Sequence, residues 1–291
     1  MKITRRTASS NLLALGLAGV SVNEVVAAPD VGAGLDGTKD VGLIARLYRQ
    51  MRFAGDRRVF FWWLQGRRYG LVDNVLTPFF DMHVGSVHRC VDLGNQRYKL
   101  ISAQMGYYTH LETGSLVEQW VNPITAATVP ISYAAPRATT AMHGPTGPEE
   151  TASANGAERR HYLGPVSVVG DAVWLREETH IVVPPAAAVV ASGGGVASTK
   201  ALRVHDMYTL QSPHAALRLD GRLAAWVPAT GQFNDFNSWS PRFQMGDLPG
   251  TSLSRCAGRK EKRWQDLPDR FRALAAQVHP EWARAPEKIL D

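Results

Sequence analysis

Cysteine is nearly absent from this chain: Cys90 and Cys256 are the only two in 291 residues, and they form no CxxC pair. That argues against a thiolate metal site or a redox dithiol, and it leaves one disulfide as an open possibility. Marked enzyme motifs are missing too. No nucleophile elbow, Walker loop, HExxH helix, EF-hand loop or dinucleotide glycine fingerprint occurs, so the reaction classes those motifs signal lose ground. No apolar run approaches the roughly 20 residues of a membrane span, and no stable membrane anchor is expected. Strong charge is lacking as well, the formal net charge being +6. Basic residues fall in scattered pairs, Arg57-Arg58, Arg67-Arg68 and Arg159-Arg160, which read as solvated turns or strand ends rather than phosphate clamps. The denser run around Arg259-Lys260 is interrupted by Glu261 and reads as soluble surface, so no nucleic-acid partner is expected.

What is present begins at the N-terminus. Arg5 and Arg6 precede an uncharged stretch from Thr7 to Asn23, and Val26-Ala27-Ala28 offers a small-residue cleavage site. This pattern predicts a twin-arginine signal peptide over residues 1–28, the twin-arginine export machinery as a partner, and a periplasmic or secreted protein. The remaining chain, residues 29–291, is expected to form a single β-rich domain.

Apolar positions Val41, Ile44, Leu47, Tyr48 and Met51 recur at helical spacing and predict an amphipathic helix that leans on a sheet or plugs a barrel end. From Val59 the pattern changes to runs rich in Val, Phe, Trp and Tyr. Strands are predicted at Val59–Leu64, Arg68–Val72, Gly85–Asp92, Tyr98–Tyr108, Ser115–Val121 and Thr128–Tyr133, with turns at Gln65-Gly66, Gly94-Asn95, Thr113-Gly114 and Asn122-Pro123. Residues 134–157 and 184–198 are rich in Pro, Gly, Ala, Ser and Thr and are expected to be long loops. Between and beyond them, strands are predicted at Val166–Val169, Ala172–Val183 and Leu202–Gln211, and a strand or short helix at Arg222–Val227. Asp266–His279 predicts a final helix stopped by Pro280. The fold class that follows is mainly β, an antiparallel calycin-like barrel or a sandwich, with a helix near each end.

Three blocks carry a family likeness: VFFWWLQGRRYGLV (Val59–Val72), GYYTHLETGSLVEQWVNPIT (Gly106–Thr125), and HDMYTLQSP followed by SWSPRFQMGDLPGTSLSRCAGRK (Ser238–Lys260). Their order and spacing resemble a largely bacterial family catalogued as domain of unknown function number 1838. The resemblance implies a shared fold and frequent twin-arginine export, and it implies no reaction.

Chemistry must then come from scattered residues. Asp81 and His83 alternate on a strand and share a face, so a carboxylate can orient an imidazole as a general base. Tyr108 and Glu118, on strands flanking the Thr113-Gly114 turn, are candidate proton donor and acceptor. Arg242 is a candidate anchor for a substrate anion, and Trp63, Trp120 and Trp239 are candidate walls of an aromatic-lined pocket. A third set, Glu177, Glu178, His180, His205 and Asp206, would supply zinc or iron ligands if Glu178, His180 and His205 share a face. The leading expectation is binding of a small hydrophobic or aromatic molecule in a barrel cavity, with acid–base conversion and no redox cofactor. A non-catalytic ligand carrier and a metal-dependent enzyme are the alternatives, and the sequence leaves the cofactor unknown.

Overall fold

The computed structural model describes residues 34–149, 156–191 and 198–291. The expected signal peptide therefore lies outside the described residues. In chain order the first elements are helix α1 (Val41–Arg52), strands β1 (Val59–Val72), β2 (Val75–Gly94), β3 (Arg97–Thr109), β4 (Gln119–Val121), β5 (Thr128–Pro130), β6 (Thr139–Gly144) and β7 (Gly147–Pro148). Then follow β8 (Glu158–Val169), β9 (Ala172–Val183), helix α2 (Pro185–Ala191), β10 (Leu202–Pro213), β11 (Thr230–Asn237), β12 (Thr251–Glu261), and helices α3 (Asp269–Val278) and α4 (Pro280–Arg284).

Ten strands form one antiparallel sheet in the order β7-β6-β3-β2-β1-β12-β11-β10-β9-β8. It curls until it is nearly closed into a barrel, and both edge strands, β7 and β8, contact α1. α1 thus covers part of the gap between the two unpaired edges. Of the two architectures expected from sequence, the barrel is the one formed.

Side-chain alternation sorts the aromatic run at the start of β1. Phe60, Trp62 and Leu64 point into the barrel, while Phe61 and Trp63 join an outer layer with Val87, Tyr107, Trp264, Phe271 and Trp282 under the C-terminal helices. Inside, α1 plugs one end, burying Leu47, Tyr48 and Met51 against Val173, Leu175 and Leu210. Asp40 caps this helix by accepting a hydrogen bond from the Leu43 amide at 3.0 Å. Its last carbonyls are met from the sheet: Lys260 Nζ donates to the carbonyls of Gln50 and Phe53 at 2.8 and 2.6 Å, and Trp62 Nε1 donates to that of Arg52 at 2.8 Å. Trp62 and Lys260 are cross-strand partners, so β1 and β12 hold the helix end together. The other end is filled by the β4–β5 hairpin and the segment around Phe243, through Trp120, Val129, Ile131, Trp239, Phe243 and Met245 packed on Phe79 and Phe80.

Several element boundaries differ from the sequence expectation. Gln65-Gly66 is not a turn: β1 runs on to Asp73-Asn74, whose φ angles of 48° and 63° make the left-handed hairpin connection. Gly66 is required instead by close approach, because a Cβ there would stand 1.9 Å from the Arg255 carbonyl oxygen of β12. β2 starts at Val75 rather than Gly85, and β8 at Glu158 rather than Val166. The expected loop at 134–157 contains β6 and β7, and the one at 184–198 begins with α2. Arg222–Val227 is neither strand nor helix, and β11 and β12 take the place of strands the sequence did not mark. Pro280 ends α3 and opens α4. Cys90 and Cys256 are both buried and free.

Candidate site inside the barrel

Between the apolar layer around α1 and the aromatic layer at the other end runs a band of ionisable side chains. It arises because inward positions of β1, β9, β10, β11 and β12 at this height carry Arg68, Glu177, Asp206 with Tyr208, Asp235, and Ser252 with Ser254. Register fixes the pairs: Asp206 faces Asp235, Tyr208 faces both Glu177 and Phe233, and Asp235 faces Ser254.

Two clusters form. In the first, Arg68 Nη2 meets Asp235 Oδ2 at 2.7 Å, with side-chain exposures of 11% and 3%. Asp235 also accepts from the Ser254 amide at 2.5 Å and from Ser254 Oγ at 3.1 Å, and Arg68 Nη1 donates to Ser252 Oγ at 3.1 Å. In the second, Glu177 accepts from Tyr48 of α1 at 2.7 Å and lies 3.3 Å from Arg52 Nε. The Arg52 guanidinium sits 4.4 Å from the Tyr208 ring centroid and 5.2 Å from that of Trp62. Burial and the neighbouring Glu177 charge push the Tyr48 hydroxyl well above the usual phenol range, so it is a donor there and not an anion.

Hydrogen bonding in this band is incomplete. The Arg52–Glu177 contact is close enough to pair the charges but is out of hydrogen-bond alignment, and Arg52 Nε, Arg68 Nε and Glu177 Oε2 are buried without a hydrogen-bond partner. Asp206, Tyr208 and Phe233 point inward yet remain partly exposed, so water reaches the interior beside them. Asp206 is nonetheless surrounded by protein: burial, and then the charge of Asp235 across the strand pair, raise its carboxyl to about 7. Unsatisfied buried polar atoms therefore lie beside Tyr208, Phe233 and Phe243.

The residues singled out from sequence are distributed differently. Asp81 and His83 do share a face of β2, but it is the outer one. Asp81 accepts from Arg67 Nε at 2.7 Å, and the buried His83 contacts Thr109 Oγ1 at 3.2 Å through Nε2, so no bond joins them. Burial and the Arg270 charge hold the His83 imidazole below its ordinary value. Tyr108 packs on Phe80 with centroids 4.2 Å apart, and Glu118 is exposed. Trp120 and Trp239 are core residues of the closed end, Trp239 donating to the Leu248 carbonyl at 3.0 Å. Trp63 lies on the outer face, 3.4 Å from Glu261, and Arg242 is partly buried beside Phe243. Arg67-Arg68, expected to be a solvated pair, splits between faces, and only Arg67 is substantially exposed.

Of the third set, Glu177 and Asp206 enter the barrel, whereas Glu178, His180 and His205 gather on the outside. Sequence reasoning did not reach Arg52, Arg68, Tyr208 and Asp235. The signal for Asp235 was faint but present: in QFNDFN, Phe233 and Asp235 alternate on one strand face.

No curated protein matches the sequence. Two solved structures give slight likenesses. One, a monomeric dehydratase domain from a trans AT polyketide synthase split module, is 10% identical, with 75% of this chain and 86% of that chain covered and a TM-score of 0.14. The other, an N-terminal dehydratase from the difficidin assembly line, is 9% identical, with coverage of 82% and 89% and the same TM-score of 0.14. Residues 56–164, which span β1–β7 and the start of β8, match the family described as protein of unknown function (DUF1838), and over that segment the chain is similar to this family.

Proposed function

We propose that the barrel interior binds a small aromatic or hydrophobic molecule carrying one polar group, and that Asp206 exchanges a proton with it. The observation that carries this reading is the set of buried, unpartnered atoms Arg52 Nε, Arg68 Nε and Glu177 Oε2 next to aromatic walls. Leaving such atoms unpaired costs about 1–3 kcal/mol each, and a guest that donates to Glu177 and accepts from an arginine recovers that energy. The Asp206 carboxyl, partly exposed and opposite a carboxylate already held by Arg68, is the acidic group of the band most open to a guest. Tyr208 and Phe233, 4.7 Å apart between ring centroids and tilted by 39°, supply aromatic surface for the body of the guest.

The test is a titration of the purified protein with a panel of small phenols and aromatic carboxylates, followed by tryptophan fluorescence. Saturable binding by at least one class is expected, weakened about tenfold or more in E177Q. In D206N, binding persists while any turnover of the bound molecule stops. Equal affinity in wild type and E177Q, with both folded by circular dichroism, would place the ligand elsewhere.

Export is the second part of the proposal, and it rests on Arg5-Arg6, the uncharged stretch after them and the small residues before position 29. Replacing the pair by lysines (R5K/R6K) is expected to retain the protein in the cytoplasm. Undiminished export of that variant would remove the twin-arginine route.

A further inference from the structure

The outer face of β9 and β10 carries a second, separate constellation. Glu178 and His180 are two apart on β9, and His205 of β10 is the cross-strand partner of His180, so pleat and register bring all three side chains to one patch. Glu178 Oε2 lies 3.5 Å from His180 Nε2 and 3.6 Å from His205 Nε2, and one ligand atom from each residue falls within 4.8 Å of the others. The two imidazole rings are 3.9 Å apart between centroids and meet edge to face.

We infer that Glu178, His180 and His205 form a binding site for one divalent first-row transition-metal ion. Metal–ligand bonds of about 2.0–2.2 Å place neighbouring ligand atoms roughly 3.0–3.5 Å apart, and the two Glu–His separations, 3.5 and 3.6 Å, lie at and just beyond the upper end of that range. The same separations suit hydrogen bonds poorly. Neither Nε2 has a hydrogen-bond partner, although both atoms are buried while their side chains remain 41% exposed. Two imidazole lone pairs and a carboxylate oxygen therefore converge without satisfying one another. A shared cation satisfies all three with small side-chain adjustments. Arg176 lies 4.0 Å from a Glu178 oxygen and leaves both imidazoles unmet.

Two imidazoles with one carboxylate suit zinc, iron or cobalt better than calcium or magnesium, which prefer all-oxygen shells. Three protein ligands leave coordination positions for water or an added ligand. The partial exposure of the patch gives the ion a route in. Because adjacent residues of a strand face opposite ways, Glu177 serves the barrel interior while Glu178 serves this site. The two sites are independent, and the metal would staple β9 to β10.

The experiment is a titration of chelator-stripped protein with Co²⁺, read by visible absorption, and with Zn²⁺, read by calorimetry. One equivalent is expected to bind. Zn²⁺ is expected to raise Tm by several degrees. H180A and H205A should each weaken binding more than about tenfold, and E178Q less severely. H205N provides a milder variant should H205A fail to fold. No binding at micromolar Co²⁺ or Zn²⁺, or undiminished binding in folded H205N and H180A, overturns the site. Loss of metal binding in H180A together with normal guest binding in the barrel would separate this inference from the proposed function.

Discussion

Replacing Arg68 by Ala is expected to lower the unfolding free energy by about 3–5 kcal/mol, because it strands Asp235 as a buried charge without its cation. Asp235 would keep the two donors of Ser254, but a carboxylate with a 3% exposed side chain cannot recover lost hydration from water. D235A should do comparable damage from the other side, leaving the Arg68 guanidinium in the barrel with only Ser252 as a hydrogen-bond partner among the described residues. Urea unfolding of both single variants and of R68M/D235L measures the effect, and the double variant should lose less than the sum of the two. A loss below about 1 kcal/mol in R68A would mean that the pair is hydrated, and the burial of Arg68 with Asp235 would have to be redrawn.

The second large effect is a pH dependence of stability. Lys260 is 3% exposed, and burial depresses its ammonium from 10.5 to about 7. The unfolded chain keeps that proton up to about pH 10.5, whereas the folded chain releases it near pH 7. Between those values the unfolded state binds more protons, so raising the pH favours folding, at about 1.4 kcal/mol per unit for one proton. The useful window is about pH 7.5 to 8.5; below it Asp206, raised to about 7 in the fold, holds a proton that the unfolded chain lacks and acts in the opposite direction. Above pH 9 the thiols of Cys90 and Cys256, raised by burial to about 11 and about 12, act in the opposite direction. Denaturant unfolding across about pH 7.5–8.5 should therefore show a rising stability in wild type that is absent in K260M. K260M should also be less stable throughout, since the Gln50 and Phe53 carbonyls at the end of α1 lose their donor. Parallel pH profiles for the two proteins would show that the helix-end carbonyls hold the lysine protonated and that burial does not dominate.

Much of the fold is legible in the sequence. The spacing of Val41, Ile44, Leu47, Tyr48 and Met51 marked α1 because a helix that buries one stripe must repeat its apolar residues with the helical period. β3 and β9 were marked within a residue or two by their branched and aromatic runs. β11 and β12 were not, because TGQFNDFN and TSLSRCAGRKE mix polar inward residues with glycine. A strand that lines a polar interior lacks the apolar alternation by which strands are recognised. Gly66 was misread for a related reason: a glycine required by close strand approach looks the same in sequence as one required by a turn.

The candidate site was legible only in fragments. His83 and Asp81 attracted attention because alternation puts them on one face, yet alternation cannot say which face points inward. Glu177 and Glu178, adjacent and chemically alike, went to opposite sides of the sheet. What the sequence determined by itself was the class of structure, a β-rich chain with a helix near each end, because local propensity and burial period are written residue by residue. What only the tertiary structure decided was which ionisable side chains share a space. That depends on the register between strands distant in sequence: a slip of one residue between β10 and β11 would move Asp206 out of line with Asp235 and turn one strand's inward set outward.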